Sequence, residues 1–330
     1  MSQQQLEKQV FEIQNEKDFE NAALAVFQFQ AQHNLVYKQY FELLKINMDE
    51  IKSSHQIPFL PIGFYKQHQI VSGSFNPAVV FTSSGTTGMM NSSHYVKDEK
   101  LYIESFLKSF RTFYGSEKDY TFICLLPSYI NRQGSSLIYM MDYLVKASGK
   151  KESGFYPKIT EEFITLVKRL QNDKTHKVFL LGVTFALLAL AEEFPCDLSN
   201  FIIMETGGMK GQRKEITRVE LYDILKQNLN SSTIHSEYGM TELLAQAYSK
   251  DNGQFQCPKH MKVLIRDLND PFTLIAPNKT GVINVIDLAN IYSCSFIATQ
   301  DAGKLVNQNT FEVLGRVDNS DIRGCNLLMV

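Results

Sequence analysis

The sequence predicts an α/β protein: layered, parallel-rich sheets with flanking helices, followed by a C-terminal β-rich subdomain. Three observations carry this. From residue 77 to about 229, short apolar runs alternate with amphipathic stretches of helical period. Beyond about residue 255 the helical stretches stop, and short apolar runs sit between turn residues. The chain has 330 residues, is 44% hydrophobic and 21% charged, and carries only 18 Gly and 9 Pro, which is the composition of a packed globular protein.

In chain order, Leu24, Phe27 and Ala31 recur at i, i+3 and i+7, and Asn34 is placed to cap a second apolar stretch through Leu35, Phe41 and Leu44. The first 50 residues are therefore expected to form two packed helices. In the run Ile-Pro-Phe-Leu-Pro-Ile at 57–62 each proline pushes its predecessor toward extended geometry, which predicts an extended strap across the surface. Strands are expected at 78–81, 120–126, 178–181, 201–204 and 232–234. Helices are expected at 98–114, 135–146, 160–170, 185–194 and 213–229, the first presenting Tyr102, Phe106, Phe110 and Phe113 on one face and stopping at Gly115. Runs at 262–266, 282–286, 294–297 and 311–314 supply the β-rich part. The expected division is an α/β core over 1–255, a β-rich subdomain over 256–317 and a tail over 318–330.

Basic and acidic residues number 33 and 35, a net charge of −2, so nucleic acid is not the expected main partner. The N-terminus has neither a cationic start nor an apolar core, and the longest apolar run, 178–191, is broken by Gly182 and Thr184, so neither a signal peptide nor a membrane span is expected. Five cysteines, Cys124, Cys196, Cys257, Cys294 and Cys325, are widely spaced and show no zinc-ligand pattern, which fits a reducing, cytoplasmic setting. No Walker A loop, G-x-G-x-x-G, H-E-x-x-H or G-x-S-x-G occurs.

Five features carry candidate chemistry. Thr82, Ser83, Ser84, Gly85, Thr86, Thr87 and Gly88 follow an apolar run, and such a turn offers backbone N–H and hydroxyl donors to a phosphate; a solvated loop has the same composition. Tyr238, Gly239, Met240, Thr241 and Glu242 could offer a hydroxyl to a phosphate and a carboxylate to Mg²⁺, or form a plain turn and cap. Thr206, Gly207, Gly208, Met209, Lys210 and Gly211 could lay bare backbone against a planar ring, or form a strand-to-helix turn. Asp301 and Arg316 pair a carboxylate and a guanidinium suited to a ribose, or make a surface ion pair. Cys325, two residues after Arg323, is a candidate nucleophile or an inert thiol.

In this order the five features resemble the nucleotide-site series of the adenylate-forming superfamily, which includes acyl-CoA synthetases, adenylation domains and firefly luciferase. Within it the chain is most similar to the acyl-protein synthetases of bacterial bioluminescence fatty-acid reductase complexes. That closer likeness rests on the 57–62 run, the Ser-Ser-Gly-Thr-Thr-Gly loop, Leu125-Leu126-Pro127-Ser128-Tyr129, Gly182-Val183-Thr184-Phe185, the 206–211 turn and the Arg-Gly-Cys at 323–325. The resemblance implies the superfamily's large adenylating domain, with the small C-terminal domain missing from the 330 residues. It implies ATP and Mg²⁺ as cofactors, a carboxylic acid, a fatty or related one, as substrate, and an acyl reductase as partner. Ser83, Ser84, Gly85, Thr86, Thr87 and Gly88 would hold the β- and γ-phosphates, Gly207 and Gly208 the adenine, and Tyr238 with Gly239 the ring's flank. Thr241 would touch the α-phosphate, Glu242 the metal, and Asp301 and Arg316 the ribose. Cys325 would carry the acyl group as a thioester. Where most relatives continue the phosphate loop with Pro-Lys, this chain has Met89-Met90-Asn91, so one phosphate-facing cation is missing; in place of the lysine that the small C-terminal domain carries in most of the superfamily, Lys210, Arg213 or a partner protein would supply the charge. The alternatives are an acyl- or aryl-CoA ligase and a non-catalytic nucleotide-binding subunit.

Overall fold

The structure is a computed structural model that describes residues 2–83, 90–127, 134–173, 175, 177–207 and 216–317. The chain divides into two compact units, one formed by residues 1–105, 241–245 and 256–330, the other by 106–240 and 246–255.

The first unit opens with three helices, α1 (Gln3–Phe11), α2 (Glu16–His33) and α3 (Leu35–Leu43), where two were expected. The extra helix is short, but a capping box between Ser2 and Gln5 starts it and burial of Leu6, Val10 and Phe11 holds it down. Asn34 caps α3 as expected, its Oδ1 accepting from the Tyr37 N–H at 3.0 Å. The 57–62 strap is extended but not superficial: Ile57 and Leu60 are 2% and 0% exposed. Within it β1 (Leu60–Pro61) pairs with Ile297 and Ala298, because apolar side chains between prolines gain about 1.5–3 kcal/mol each by burial. After the short α4 (Phe64–Gln67) come β2 (Val79–Thr82) and β3 (Ser93–Val96). They form an antiparallel hairpin, so the expected strand at 78–81 does not join a parallel sheet. The chain leaves this unit within α5 (Glu99–Tyr114).

The second unit runs β4 (Tyr120–Leu125), α6 (Ser136–Ser148), β5 (Gly154–Phe155), α7 (Glu161–Asn172), β6 (Lys177–Val183), α8 (Thr184–Glu193), β7 (Phe201–Thr206), α9 (Arg218–Asn228), β8 (His235–Tyr238), β9 (Ala247–Ser249) and β10 (Gln254–Gln256). Strands β5, β4, β6, β7 and β8 lie side by side and all parallel, with β9 antiparallel at β8. This is the β/α alternation expected, although the last parallel strand lies at β8 rather than at 232–234. Phe110, Phe122 and Phe179 pack within 5.4–5.7 Å of one another, centroid to centroid, and fix the sheet's first face.

Back in the first unit, β11 (Met261–Arg266), β12 (Gly281–Asp287), β13 (Phe296–Asn307) and β14 (Thr310–Arg316) form an antiparallel meander. This is the β-rich stretch read from the sequence, with β12 buried along its whole length. The N-terminal helices pack on it: Phe296 lies between Phe27, Tyr37 and Phe59, and the Gln30 amide donates to the carbonyls of Asn290 and Ile291 at 2.9 Å each.

Candidate active site

The predicted site residues fall into two groups, one in each unit. In the first unit the β2–β3 hairpin sets the base of the hydroxyl-rich loop. Thr82 pairs with Ser93, the Ser83 N–H donates to the Ser92 carbonyl at 3.0 Å, and the Ser92 N–H donates to Ser83 Oγ at 2.9 Å. Ser84, Gly85, Thr86, Thr87 and Gly88 lie outside the described residues, as do Gly208, Lys210, Arg213 and Cys325.

The Ser92 hydroxyl lies 2.9 Å from Ser83 Oγ and donates to the carboxylate of Glu242, 150 residues further on. Glu242 is 5% exposed. Burial pushes its carboxyl above the usual carboxylate range; the Ser92 bond, its own backbone N–H and the Arg316 guanidinium pull the other way, while Asp301 adds to the push. Glu242 is thus a buried carboxyl under the electrostatic influence of the Asp301–Arg316 pair. Those two residues stand directly opposite each other on β13 and β14, with Arg316 Nε 3.7 Å from Asp301 Oδ1. The Arg316 side chain is 83% exposed, so the pair adds little stability and leaves the guanidinium accessible.

The segment from Thr241 to Ala245 is anchored from below. Asp287 Oδ2 accepts from the N–H groups of Leu244 at 2.6 Å and Ala245 at 3.0 Å, and Oδ1 accepts from Ala289 at 3.2 Å. Burial still pushes the Asp287 carboxyl up to about 6 against those three bonds. Asn290 donates to the Glu242 carbonyl at 2.8 Å. Ser92, His94, Asp287 and Asn290 are the residues that sequence reasoning missed. Only Ser92, close behind the glycine loop, carried a signal.

In the second unit the candidates cluster at the C-terminal ends of adjacent parallel strands, where open α/β sheets bind ligands. Gly207 closes β7 at φ 81°, a left-handed conformation that a residue with a Cβ adopts only at a cost. Tyr238 ends β8, is 8% exposed and packs against Phe255 at 5.9 Å. At Gly239 a Cβ would come within 2.3 Å of Glu237 Oε1, so the missing side chain lets that carboxyl lie over the turn. Glu237 accepts from the Thr206 hydroxyl at 2.6 Å, and Glu205 accepts from Ser236 at 2.6 Å and Thr184 at 3.2 Å. Burial, reinforced by Glu205, pushes the Glu237 carboxyl up to about 7 despite the Thr206 bond.

Whether these residues suit a divalent ion is a question of donor chemistry. Among the described residues no three His, Cys, Asp or Glu side chains group to hold a metal. A buried carboxyl bonded to the Ser92 hydroxyl suits a different arrangement, in which the protein gives one hard oxygen ligand and phosphate oxygens give others. Glu242 fits that role. Among the described residues no helix is long and apolar enough to cross a membrane.

No protein-family model and no curated protein matches the chain. Solved structures do. A 2-hydroxyisobutyryl-CoA ligase in an open conformation with 2-HIB-AMP and CoA aligns over 94% of this chain and 72% of its own, with TM-score 0.64 and 11% identity. ATP-bound MatB from Rhodopseudomonas palustris aligns over 74% of this chain and 49% of its own, with TM-score 0.54 and 15% identity. The O-succinylbenzoate coenzyme A synthetase MenE from Bacillus subtilis, with ATP and magnesium, aligns over 74% of this chain and 51% of its own, with TM-score 0.52 and 18% identity. The chain spans about half the length of the MatB and MenE structures. At these identities the likeness establishes the fold, and that fold is the one the acyl-CoA and aryl-CoA ligases use.

Proposed function

We propose that the chain is an ATP-dependent acid–thiol ligase that activates a carboxylic acid, a fatty or related one, as an acyl-adenylate and passes the acyl group to Cys325 for a partner acyl reductase. The observation that carries the reading is the buried Glu242 carboxylate, tied through Ser92 to Ser83 at the foot of the hydroxyl-rich loop and sensing the Asp301–Arg316 pair.

In the proposed reaction an acid carboxylate oxygen attacks the α-phosphorus of ATP, and pyrophosphate leaves with the displaced electron pair. A thiolate then attacks the acyl carbon, and AMP leaves. Ser83 and the loop after it would hold the β- and γ-phosphates, Thr241 the α-phosphate, Asp301 and Arg316 the ribose, and Gly207, Tyr238 and Gly239 the adenine. Glu242 would hold Mg²⁺, which supplies positive charge to the phosphates as they gain charge. The four cysteines other than Cys325 have their thiols pushed up by burial, Cys257 and Cys294 to about 12, which makes them poor nucleophiles near neutral pH.

A second reading, with coenzyme A as the thiol, is favoured by the 94% coverage in the alignment to the CoA-bound ligase. ATP–pyrophosphate exchange across fatty, aromatic and amino acids tests adenylation; no exchange with any acid would count for a non-catalytic nucleotide-binding subunit. With an active acid in labelled form, hydroxylamine-sensitive label on the Cys325 peptide supports protein acylation. Label retained in Cys325→Ser, or free acyl-CoA formed without protein label, overturns it.

A further inference from the structure

A buried imidazole braces the Thr241–Glu242 segment. His94 is on β3, 1% exposed, with Nδ1 2.7 Å from the Thr241 carbonyl oxygen and Nε2 2.9 Å from Asn290 Oδ1. The Asn290 amide is held in one orientation, because its Nδ2 donates to the carbonyls of Glu242 at 2.8 Å and Cys294 at 3.0 Å. Both ring nitrogens therefore face oxygen atoms, and burial lowers the pKa of the imidazole while its contacts with Thr241 and Asn290 oppose the fall. The consequence is a continuous run of bonds. His94 holds the Thr241 carbonyl directly and the Glu242 carbonyl through Asn290, while Asp287 holds the N–H groups of Leu244 and Ala245. Four of the five residues from Thr241 to Ala245 are thus fastened through their backbone. None of these anchors engages the Thr241 hydroxyl or the Glu242 carboxylate.

We propose that His94 is the positioning residue of this site: its two ring nitrogens set the backbone that aims the Thr241 hydroxyl and the Glu242 carboxylate. The proposal rests on the reading of those two as nucleotide- and metal-facing groups. A displacement of about 1 Å in such groups costs roughly 100-fold in rate.

Two variants separate positioning from mere packing. In His94→Asn the side-chain amide nitrogen falls near the place of Nδ1 and keeps the Thr241 bond; in His94→Gln it reaches the place of Nε2, keeps Asn290 and loses Thr241. In pyrophosphate exchange on the full chain, His94→Gln is expected to lose about 100-fold in kcat with the ATP KM changed less than about threefold, and His94→Asn to stay within about tenfold of wild type. Equal losses in the two variants, or losses matching only the fraction unfolded, overturn the proposal. If wild type exchanges with no acid, the adenylation reading fails, and the brace is decided by amide hydrogen exchange over 241–245 in the free protein. Faster exchange in His94→Gln than in His94→Asn supports it, and equal rates overturn it.

Discussion

A carboxylate that is 5% exposed and fastened by a serine hydroxyl and its own N–H is costly to keep ionised, and Glu242 is such a group. Glu242→Gln keeps an acceptor for Ser92 while removing the buried charge. Its expected outcome is a thermal midpoint at pH 7 no lower than wild type, together with pyrophosphate exchange reduced about 100-fold or more, as for loss of a group that stabilises developing charge. Glu237 invites a test by pH. Its carboxyl rises from the ordinary 4.5 to about 7, so the folded state holds a proton that the unfolded state has released. The stabilisation is complete below about pH 4.5 and is lost as pH rises through about 7. Glu237→Gln removes that penalty. The variant's melting temperature is expected to exceed wild type at pH 8, with the gap closing toward pH 4.5. Single residues of this kind were only partly legible in the sequence. Glu242 stood in a motif, but Ser92, Asp287 and Asn290 act through bonds spanning 150, 43 and 48 residues, and no local pattern announces such a bond.

At the scale of elements, helices and buried strands were legible because apolar periodicity survives burial. The failures came where strands carry polar residues inward. On β3 it is His94 and Val96 that are buried, and on β8 it is Ser236, bonded to Glu205 and Tyr222, with Tyr238. Neither strand has the apolar alternation by which a half-buried strand is recognised. The meander carries a constraint of its own. Gly281 faces Gly303 across β12 and β13, and a Cβ on Gly281 would lie 2.2 Å from the Arg266 carbonyl oxygen and 2.7 Å from Ile265 Cγ2. Backbone cannot yield as a flexible side-chain end does. Gly281→Ala is therefore expected to cost about 1–3 kcal/mol, read as a lower urea midpoint with an unchanged slope.

At the scale of the whole chain, the first unit is assembled from distant stretches. Phe296 packs between Phe27, Tyr37 and Phe59, and Gln30 bonds to Asn290 and Ile291, 260 and 261 residues away. Such separation makes the unit dependent on late-synthesised chain. A chain cut after residue 255 leaves α2, α3 and the strap without the Phe296 and Asn290–Ile291 contacts that hold them to the meander. Limited proteolysis is expected to cleave residues 2–105 much faster in it than in the full chain.

By itself the sequence determined the α/β alternation, the β-rich stretch after residue 255 and the order of the glycine, hydroxyl and carboxylate features. These rest on local rules, since periodicity, capping and turn chemistry are properties of neighbours in the chain. Tertiary structure alone decided that the strap is buried, that β2 turns back on β3, that Asp301 stands opposite Arg316 and that Ser92 meets Glu242. The reason is the same in each case. Strand register and buried polar bonds are settled by which distant groups desolvate together, and that choice is made only when the chain has folded.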